Sequence, residues 1–318
     1  MSVLVLIDHD RGEVSELARQ ALTLGRSLAD DLDTSLDGVV IGAGSESVML
    51  GVAVDATWRV EHPLLTDYAP EGWGEALVQL VGAATPVAVV APGTERGNEV
   101  LAHVAALADL PMAANVTAVS TGEDPWVLER VRWGGSLLEE AHLSAAVRLL
   151  SAAPHAFPPA PLEGDSPVSD FTPDLEDRHV VSRVVDRVTV PAGITLTTAP
   201  VVVSGGRGVG GPEGFAPLEE LAGLLGGAIG CSRVATNNGW RPHSDQVGQT
   251  GTRVAPDVYI ACGISGAIQH WVGMMASKQV IAINTDPEAP MVTKADYALI
   301  GDVAEVVPAI VEEIRQRS

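Results

Sequence analysis

The sequence predicts an α/β fold of two domains, each with a mostly parallel sheet flanked by helices. The chain has 318 residues, of which 46% are apolar, and this is enough to bury two hydrophobic cores. Short β-branched runs alternate with helical patterns up to about residue 150, and the alternation starts again at Ala199. We therefore predict an N-terminal domain over residues 1–188 and a C-terminal domain over residues 189–318.

In the N-terminal domain, apolar runs that suit buried strands are each followed by a helical pattern. This order predicts βαβ units and a parallel sheet covered on both faces. The last helix is followed by three strand-like segments, NVTAVS, WVLERVRWGG and LSAAVRLLS. The alternating part contains, in order, strand VLVLI, helix EVSELARQALTLGRSLAD, strand DGVVIG, helix EALVQLVGAA, strand VAVVAP and helix NEVLAHVAALAD.

A segment rich in proline and acidic residues closes this domain. Residues 153–178 contain six prolines and six acidic residues within 26 positions. Because proline lacks a backbone donor, this composition excludes a regular helix or a sheet interior and predicts an extended linker. A linker of this length is either disordered or wraps another surface. The next segment, VVSRVVDRVTVPA, predicts one more strand.

The C-terminal domain repeats the alternation with conspicuous loops just after its strands. This order predicts a doubly wound sheet, which binds ligands beyond the carboxyl ends of its strands. The predicted elements are strand PVVVSG, the glycine-rich loop GRGVGGPEGF, helix APLEELAGLLGG, strand AIGCSR, loop VATNNGWRP, strand DVYIACG, helix GAIQHWVGMMA, strand QVIAIN, loop TDPEAPMVTKA, strand YALIGD and helix VAEVVPAIVEEIRQR.

The charge balance excludes several classes of partner. A net charge of −22 opposes long-range attraction to nucleic acid or to anionic lipid. The charge is uneven, with −18 on residues 1–198 and −4 on residues 199–318, so the second part tolerates an anionic ligand better. The long uncharged stretch Val188 to Gly206 contains too many prolines and threonines for a membrane span.

Cysteine usage and the N-terminus predict a cytoplasmic protein. Acidic residues directly follow the first apolar run, MSVLVLIDHDRGE, which fits a first strand and not a signal peptide. Cys231 and Cys262 form neither a CxxC pair nor a disulfide framework, so we expect buried thiols in a reducing compartment. The histidines lack metal-ligand spacing, and we expect no metal site.

One hypothesis for the glycine-rich loop is an NADP-dependent oxidoreductase. Gly206, Gly208 and Gly211 match G-x-G-x-x-G after a predicted strand, and Arg233, at the end of the next strand, could accept a 2′-phosphate. The prolines and the glycine between residues 212 and 217 delay the helix, so the third glycine does not open a helix N-terminus. The pattern alone is equally compatible with a mobile turn.

Two further loops carry uncharged hydrogen-bonding groups. The segment DQVGQTG, residues 245–251, combines two amides and a hydroxyl with glycines that permit close backbone approach, although it also suits a polar hairpin tip. The segment GISGAIQH, residues 263–270, places small residues between a strand and a predicted helix start, a favourable position for an anion. A lone histidine such as His270 is more often a core or surface residue, but the neighbouring loops favour a functional one.

Together these segments resemble the alpha subunit of electron transfer flavoprotein, also called the FixB family. The resemblance is dense from Ala199 to Gln316, where SGGRG, CSR, DQVGQTG, APDVYIACGISGAIQHWVGM, SKQVIAINTDPEAP and ADYALIGD occur in order. Residues 1–190 resemble the family only in length and alternation. The segment ATNNGW departs from the family pattern, which has an acidic residue and an alanine before the glycine.

The resemblance implies one FAD in the C-terminal domain, held largely by uncharged loops. It assigns His270 to the edge of the flavin that gains negative charge on reduction, Arg233 to the ring as a fixed positive charge, and Thr250 to flavin N5. Ser265 would hold the diphosphate, and Asn284 and Asp302 the adenosine, although Asn284 could simply end a strand and Asp302 could cap the last helix. The positions that match FAD contacts are Arg207, Ser232, Arg233, Gln246, Val247, Gly248, Gln249, Thr250, Ser265, Gly266, Ala267, Ile268, Gln269, His270, Asn284 and Asp302.

The resemblance also implies partners. It predicts a heterodimer with a beta subunit that holds AMP or a second FAD, and an electron carrier rather than an enzyme with its own substrate. The implied donors are acyl-CoA or other flavoprotein dehydrogenases of fatty acid beta-oxidation, and the implied acceptor is a membrane quinone oxidoreductase. A third hypothesis, a non-redox scaffold that acts through the acidic N-terminal domain, stays open at this point.

Overall fold

A computed structural model describes residues 1–45, 48, 53–161, 164, 166–186 and 194–317. The chain forms two compact units, called here unit 1 (Met1–Val188) and unit 2 (Thr189–Ser318). Each unit contains a largely parallel sheet flanked by helices, so the predicted α/β class is confirmed. In the described part of the chain, every helix falls short of the length and apolar character that a membrane crossing requires.

The described residues of unit 1 include three helices, α1 (Glu16–Asp31), α2 (Pro70–Ala84) and α3 (Glu95–Ala108). Its strands are β1 (Ser2–Leu6), β2 (His9–Asp10), β3 (Glu13–Val14), β4 (Ser35–Ile41), β5 (Ala56–Val60), β6 (Ala88–Pro92), β7 (Met112–Ser120), β8 (Trp126–Arg132), β9 (Leu137–Leu143), β10 (Arg148–Ala152) and β11 (Val168–Phe171).

These strands form a nine-stranded sheet in the order β11-β5-β4-β1-β6-β10-β7-β8-β9, and β2 and β3 form a separate ribbon within the described residues. Among the described strands of the nine-stranded sheet, the β7–β8 and β8–β9 pairs are antiparallel and the others are parallel. Helix α1 begins where the Ser15 hydroxyl accepts a hydrogen bond from the Ala18 backbone at 3.1 Å, and it packs directly on β1. A Cβ at Gly25 would lie 2.4 Å from Val5 Cγ2, so only glycine permits this close packing.

In its described residues, the proline-rich segment that was predicted as an extended linker contributes a strand to the sheet. Strand β11 pairs in parallel with β5 at the edge, where a proline-flanked segment can pair on one side only. Strands β5 and β9 were not predicted. The strand predicted over VVSRVVDRVTVPA is wrong for residues 180–186, which form no strand, and its remainder lies largely outside the described residues.

Unit 2 has a five-stranded parallel sheet in the order β13-β12-β14-β15-β16 within the described residues. The chain moves from β12 to one side and then returns to β14 on the other, which makes the β12–β14 pair the topological switch point. The strands are β12 (Val201–Gly205), β13 (Ala228–Cys231), β14 (Val258–Cys262), β15 (Gln279–Asn284) and β16 (Tyr297–Ile300), and the helices are α4 (Ala216–Leu224), α5 (Arg233–Asn237), α6 (Ile268–Trp271), α7 (Pro290–Lys294) and α8 (Val303–Arg317).

One helix prediction and two loop predictions in unit 2 are wrong. The helix predicted over GAIQHWVGMMA is only the single turn α6, because the chain beyond it turns back and the Gly273 carbonyl accepts a hydrogen bond from Val254 at 2.8 Å. Helices α5 and α7 occupy segments that were predicted as loops, and α5 starts at Arg233, which was placed at a strand end. The three strands that position the candidate site, β12, β13 and β14, match their predictions within two residues.

Candidate functional site

The loops that follow β12 and β14 meet at the switch point through backbone alone. Gly206 donates to the Cys262 carbonyl at 2.9 Å, and Gly208 donates to the Gly263 carbonyl at 3.0 Å. A Cβ at Gly206 would lie 2.5 Å from the Gly263 oxygen, so this approach requires glycine. The glycine spacing therefore serves the contact between these two loops.

The loop Asp245–Gly251, called here the amide loop, is fixed on both sides. The Val247 backbone donates to the Cys231 carbonyl at 2.9 Å, which continues the pairing beyond β13. The Gln249 backbone donates to the Gln269 carbonyl at 2.7 Å, which joins the loop to α6. The structure thus brings together the end of β13, the amide loop and the turn of α6, as the sequence motifs indicated.

Within the amide loop, a buried amide connects two hydroxyl groups. The Gln246 side chain is 2% exposed, its Nε2 donates to Thr250 Oγ1 at 3.0 Å, and its Oε1 accepts from Thr236 Oγ1 at 2.8 Å. Gln249 and Thr250 are exposed. A ligand on this surface can contact Gln249 and Thr250, whereas Gln246 lies beneath them. Sequence reasoning missed Thr236, which lies on α5.

His270 is buried and faces the interior of unit 2. Its Nε2 lies 2.9 Å from the hydroxyl of Tyr259, which is fully buried, and its Nδ1 makes no hydrogen bond with any described residue. Burial lowers the pKa of His270 to about 4, and the nearby Val247 carbonyl opposes this shift. The imidazole is therefore neutral at pH 7, which favours the hydrogen-bonding role over the charged one.

Three arginines lie on the loops at this edge, and none forms an ion pair with a described residue. Arg207 and Arg233 are exposed, and Arg233 is the first residue of α5. Arg253 was not predicted; it is half-buried, and burial lowers its pKa. It could have been found as the single basic residue between the amide loop and β14. Unpaired guanidinium groups favour an anionic ligand.

The serines and small residues of the site occupy two environments. Ser232 Oγ is buried and makes no hydrogen bond with a described residue, although Ser232 precedes α5. Ser265 is exposed, and Gly266 has φ +82 and packs on Met291. The segment leading into α6 is a loop and α6 is a single turn, so the long helix whose start was expected to favour an anion does not form. Ala267, Ile268 and Gln269 are exposed along this loop and turn.

Asn284 and Asp302 have structural partners. Asn284 ends β15, and its Nδ2 donates to the Ile264 carbonyl at 3.0 Å, which fixes the loop after β14. Asp302 caps α8, because its Oδ1 accepts from the Ala304 backbone at 2.9 Å. Both lie at the same edge of the sheet as the other loops, but their side chains also serve the fold, as the alternative reading of the sequence allowed.

Two family models match the chain. The model described as Electron transfer flavoprotein domain matches residues 3–176, and the model described as Electron transfer flavoprotein FAD-binding domain matches residues 195–275. The second match covers the β12 and β14 loops, the amide loop and α6.

Similar proteins match over nearly their full length. The electron transfer flavoprotein subunit alpha of Paracoccus denitrificans is 36% identical and covers 98% of this chain and 99% of its own. The corresponding subunit of Thermoanaerobacterium thermosaccharolyticum is 32% identical, with 99% and 98% covered. Protein FixB of Azorhizobium caulinodans is 33% identical, with 99% and 89% covered. These matches do not support the hypothesis of an NADP-dependent oxidoreductase.

Proposed function

The chain belongs to the electron transfer flavoprotein alpha subunit family, and from this premise we propose which residues hold its FAD and which proteins exchange electrons with it. Residues 195–275 are an electron transfer flavoprotein FAD-binding domain, so the family resemblance is confirmed and the protein functions in electron transfer. An alpha subunit of this family forms a heterodimer with a beta subunit.

The observation that carries the residue assignment is the meeting of the β12, β13 and β14 loops at the switch point. The glycine contacts bring the β12 and β14 loops together there, the amide loop and α6 present uncharged donors, and guanidinium groups that form no ion pair with a described residue suit the diphosphate or a reduced ring. The Ser232 hydroxyl makes no hydrogen bond within the described part of the chain, and a ligand could supply its partner. These features fit FAD. The residues that hold it in our proposal are those given above as matching family contacts, except that Gln246 is buried and supports Thr250 from beneath.

Bound FAD supplies the redox chemistry, and the protein residues supply binding, orientation and charge. Ser265 and the loop around Gly266 hold the diphosphate, and Asn284 and Asp302 hold the adenosine. Arg233 places a permanent positive charge beside the ring, which favours added electrons. Thr250 donates a hydrogen bond to N5. His270 would contribute a hydrogen bond from a neutral imidazole to the edge of the ring that gains charge, and its Nδ1, which has no hydrogen bond with a described residue, is the atom free to do so.

The partners are proposed from the chemistry of the family. The electron donors are acyl-CoA dehydrogenases or other flavoprotein dehydrogenases of fatty acid beta-oxidation, and the acceptor is a membrane quinone oxidoreductase. The beta subunit holds AMP or a second FAD, and the heterodimer works in the cytoplasm without inserting into a membrane. The excess of negative charge on the N-terminal part suits a less acidic partner.

The test is reconstitution of the heterodimer. Co-purified with its beta subunit, the chain should carry one FAD of its own, and removal followed by addition of FAD should restore the flavin spectrum. We expect His270→Ala to make the addition of the first electron less favourable by about 1–3 kcal/mol, and so to lower the potential of that step, because a hydrogen bond to developing charge is lost. His9→Ala, in unit 1, serves as the control and should leave the potential unchanged. A folded heterodimer that takes up no FAD would contradict the proposal.

A further inference from the structure

The hydrogen bonds of Gln246 define a chain from α5 to the exposed surface of the site. Thr236 Oγ1 lies 2.8 Å from Gln246 Oε1 and 3.0 Å from the Arg233 carbonyl, and Gln246 Nε2 lies 3.0 Å from Thr250 Oγ1. The single Thr236 hydroxyl hydrogen therefore has acceptors on both sides. The middle of this hydrogen-bond chain is buried at Gln246, whereas Thr236 is half-buried and Thr250 is exposed.

This chain of hydrogen bonds, from Thr236 through Gln246 to Thr250, has a direction. Of the two acceptors near the Thr236 hydroxyl, Gln246 Oε1 is the nearer, at 2.8 Å against 3.0 Å, so we assign the hydrogen to Oε1. With Oε1 facing Thr236, the amide places Nε2, which can only donate, against Thr250. The Thr250 oxygen is then an acceptor within the protein, and its own hydrogen is left to point outward. The hydroxyl of threonine could otherwise either donate to a ligand or accept from it, so the orientation of the Gln246 amide removes that choice.

Resting on the function proposed above, we propose that Thr236 and Gln246 are positioning residues that hold the Thr250 hydroxyl as a hydrogen-bond donor toward the bound flavin. An oxidised isoalloxazine ring has an acceptor at N5, which such a donor satisfies. Two-electron reduction with uptake of a proton places a hydrogen on N5, and two donors would then face each other. The chain from Thr236 thereby favours oxidised over fully reduced FAD, and Thr236 acts without touching the cofactor.

Thr236→Val tests this directly, since it removes the hydroxyl and keeps the shape. Without the Thr236 hydrogen the amide can rotate, present Oε1 to Thr250 and leave Thr250 free to accept from N5. In the heterodimer, we expect the affinity for oxidised FAD to fall about tenfold relative to that for reduced FAD. That ratio corresponds to a rise of about 30 mV in the two-electron potential. FAD binding to the flavin-free heterodimer and a reductive titration measure the two quantities independently.

Matched variants separate this role from general damage. Thr236→Ser keeps the hydroxyl and should restore wild-type values. Thr293, like Thr236, donates a hydrogen bond to the backbone carbonyl three residues earlier, which for Thr293 is that of Pro290. Thr293→Val is therefore the matched control, and it should change neither the FAD affinity ratio nor the two-electron potential. In a Thr250→Ala background, Thr236→Val should have no further effect on the ratio, because Thr236 acts through Thr250.

The outcomes are distinct. If Thr236→Val proves unstable, Gln246→Met removes the amide at similar volume and should produce the same rise in potential. Wild-type potential in either variant, with FAD bound, would overturn the proposal. A wild-type heterodimer that holds no FAD would instead overturn the proposed function on which it rests.

Discussion

His9 in unit 1 and His270 in unit 2 are buried to a similar extent, with 5% and 7% of their surface exposed, yet their ring nitrogens differ in bonding. His9 Nε2 donates to the Ile41 carbonyl at 3.1 Å, and its Nδ1 accepts from the Gly12 backbone at 3.2 Å. His270 bonds only to Tyr259 among the described residues. Burial alone does not distinguish a structural histidine from a functional one, whereas an unused hydrogen-bonding atom can.

The two sheets differ in the same way at the edge where their parallel strands end, namely in how far the described polar groups there are used by the protein itself. In unit 1, the β2–β3 ribbon packs so closely on the loop after β4 that a Cβ at Gly44 would lie 2.3 Å from the Arg11 backbone. Beside it, burial raises the pKa of Asp8, opposed by the charge of Arg96 and the Thr94 hydroxyl. The edge of unit 2 instead presents glycines, amides and unpaired arginines. An edge becomes a candidate ligand site when its polar groups are not used by the protein itself.

The largest expected difference between the units is in acid sensitivity. Burial lowers the pKa of His270 to about 4 in the folded protein. As the pH falls, the imidazole is therefore protonated in the unfolded chain before it is protonated in the folded protein. The stability that neutral His270 provides is therefore complete above about pH 6.5 and is lost as pH falls toward 4, by at most roughly 3 kcal/mol. We expect the amides of unit 2 to lose protection between pH 6.5 and 4.5 in hydrogen exchange corrected for intrinsic rates.

Unit 1 should lose less protection over that interval. Burial also lowers the pKa of His9, but the raised pKa of Asp8 acts in the opposite direction, since folded Asp8 takes up a proton more readily than unfolded Asp8. His270→Gln should remove most of the pH dependence of unit 2, and His243→Gln, at an exposed position in the same unit, should retain it. Equal acid sensitivity in both units of the wild type would contradict this interpretation.

A smaller effect should follow from removing the partner of His270. Tyr259→Phe leaves Nε2 buried without its hydrogen bond, which costs about 1–3 kcal/mol. The matched change in unit 1 is Tyr68→Phe, where the lost bond to Glu99 Oε2, 2.7 Å long, lies at the surface. Water can replace that bond, so we expect a loss of about 1 kcal/mol or less. Hydrogen exchange measures both units in each variant.

The comparison would fail if the two tyrosine variants lost the same amount of local stability, or if Tyr259→Phe destabilised unit 1 rather than unit 2. The double variant Tyr259→Phe with His270→Phe gives a further check. Replacing both partners with apolar groups removes the unpaired nitrogen, so the double variant should be less destabilised than the sum of the single variants.

The strands of unit 2 could be predicted because buried parallel strands form continuous β-branched runs, as in PVVVSG and QVIAIN. Strands β5 and β9 were missed because ATWRV and LLEEAHL are partly exposed and contain charged residues. The long helix over GAIQHWVGMMA was predicted from local pattern alone, and the tertiary bond between Val254 and Gly273 prevents it.

The site was predicted as a set of motifs, and its connections were not. The loops after β12, β13 and β14 could be identified because glycines and amides follow those strands in order. The bond from Thr236 to Gln246 spans ten residues and two elements, and no local pattern indicates it. The core position of His270 depends likewise on Tyr259, which lies eleven residues away on a strand.

The smallest expected difference concerns two helix caps, one in each unit. Ser15 caps α1 and Asp302 caps α8, and replacement of either by alanine should cost about 1 kcal/mol of local stability. Only Asp302 is proposed to contact the adenosine. We expect Asp302→Ala to weaken FAD binding by about two- to tenfold, because one hydrogen bond is lost, whereas Ser15→Ala should leave it unchanged.

Asp302→Ser separates the two roles of the aspartate. The serine hydroxyl can still accept from the Ala304 backbone, so the stability of α8 should recover, while the carboxylate that would accept from the ribose is absent. FAD affinity should therefore stay low in Asp302→Ser although the helix is restored. If the serine variant binds FAD as the wild type does, Asp302 acts only as a cap, and the adenosine end must be held by other residues of the same edge.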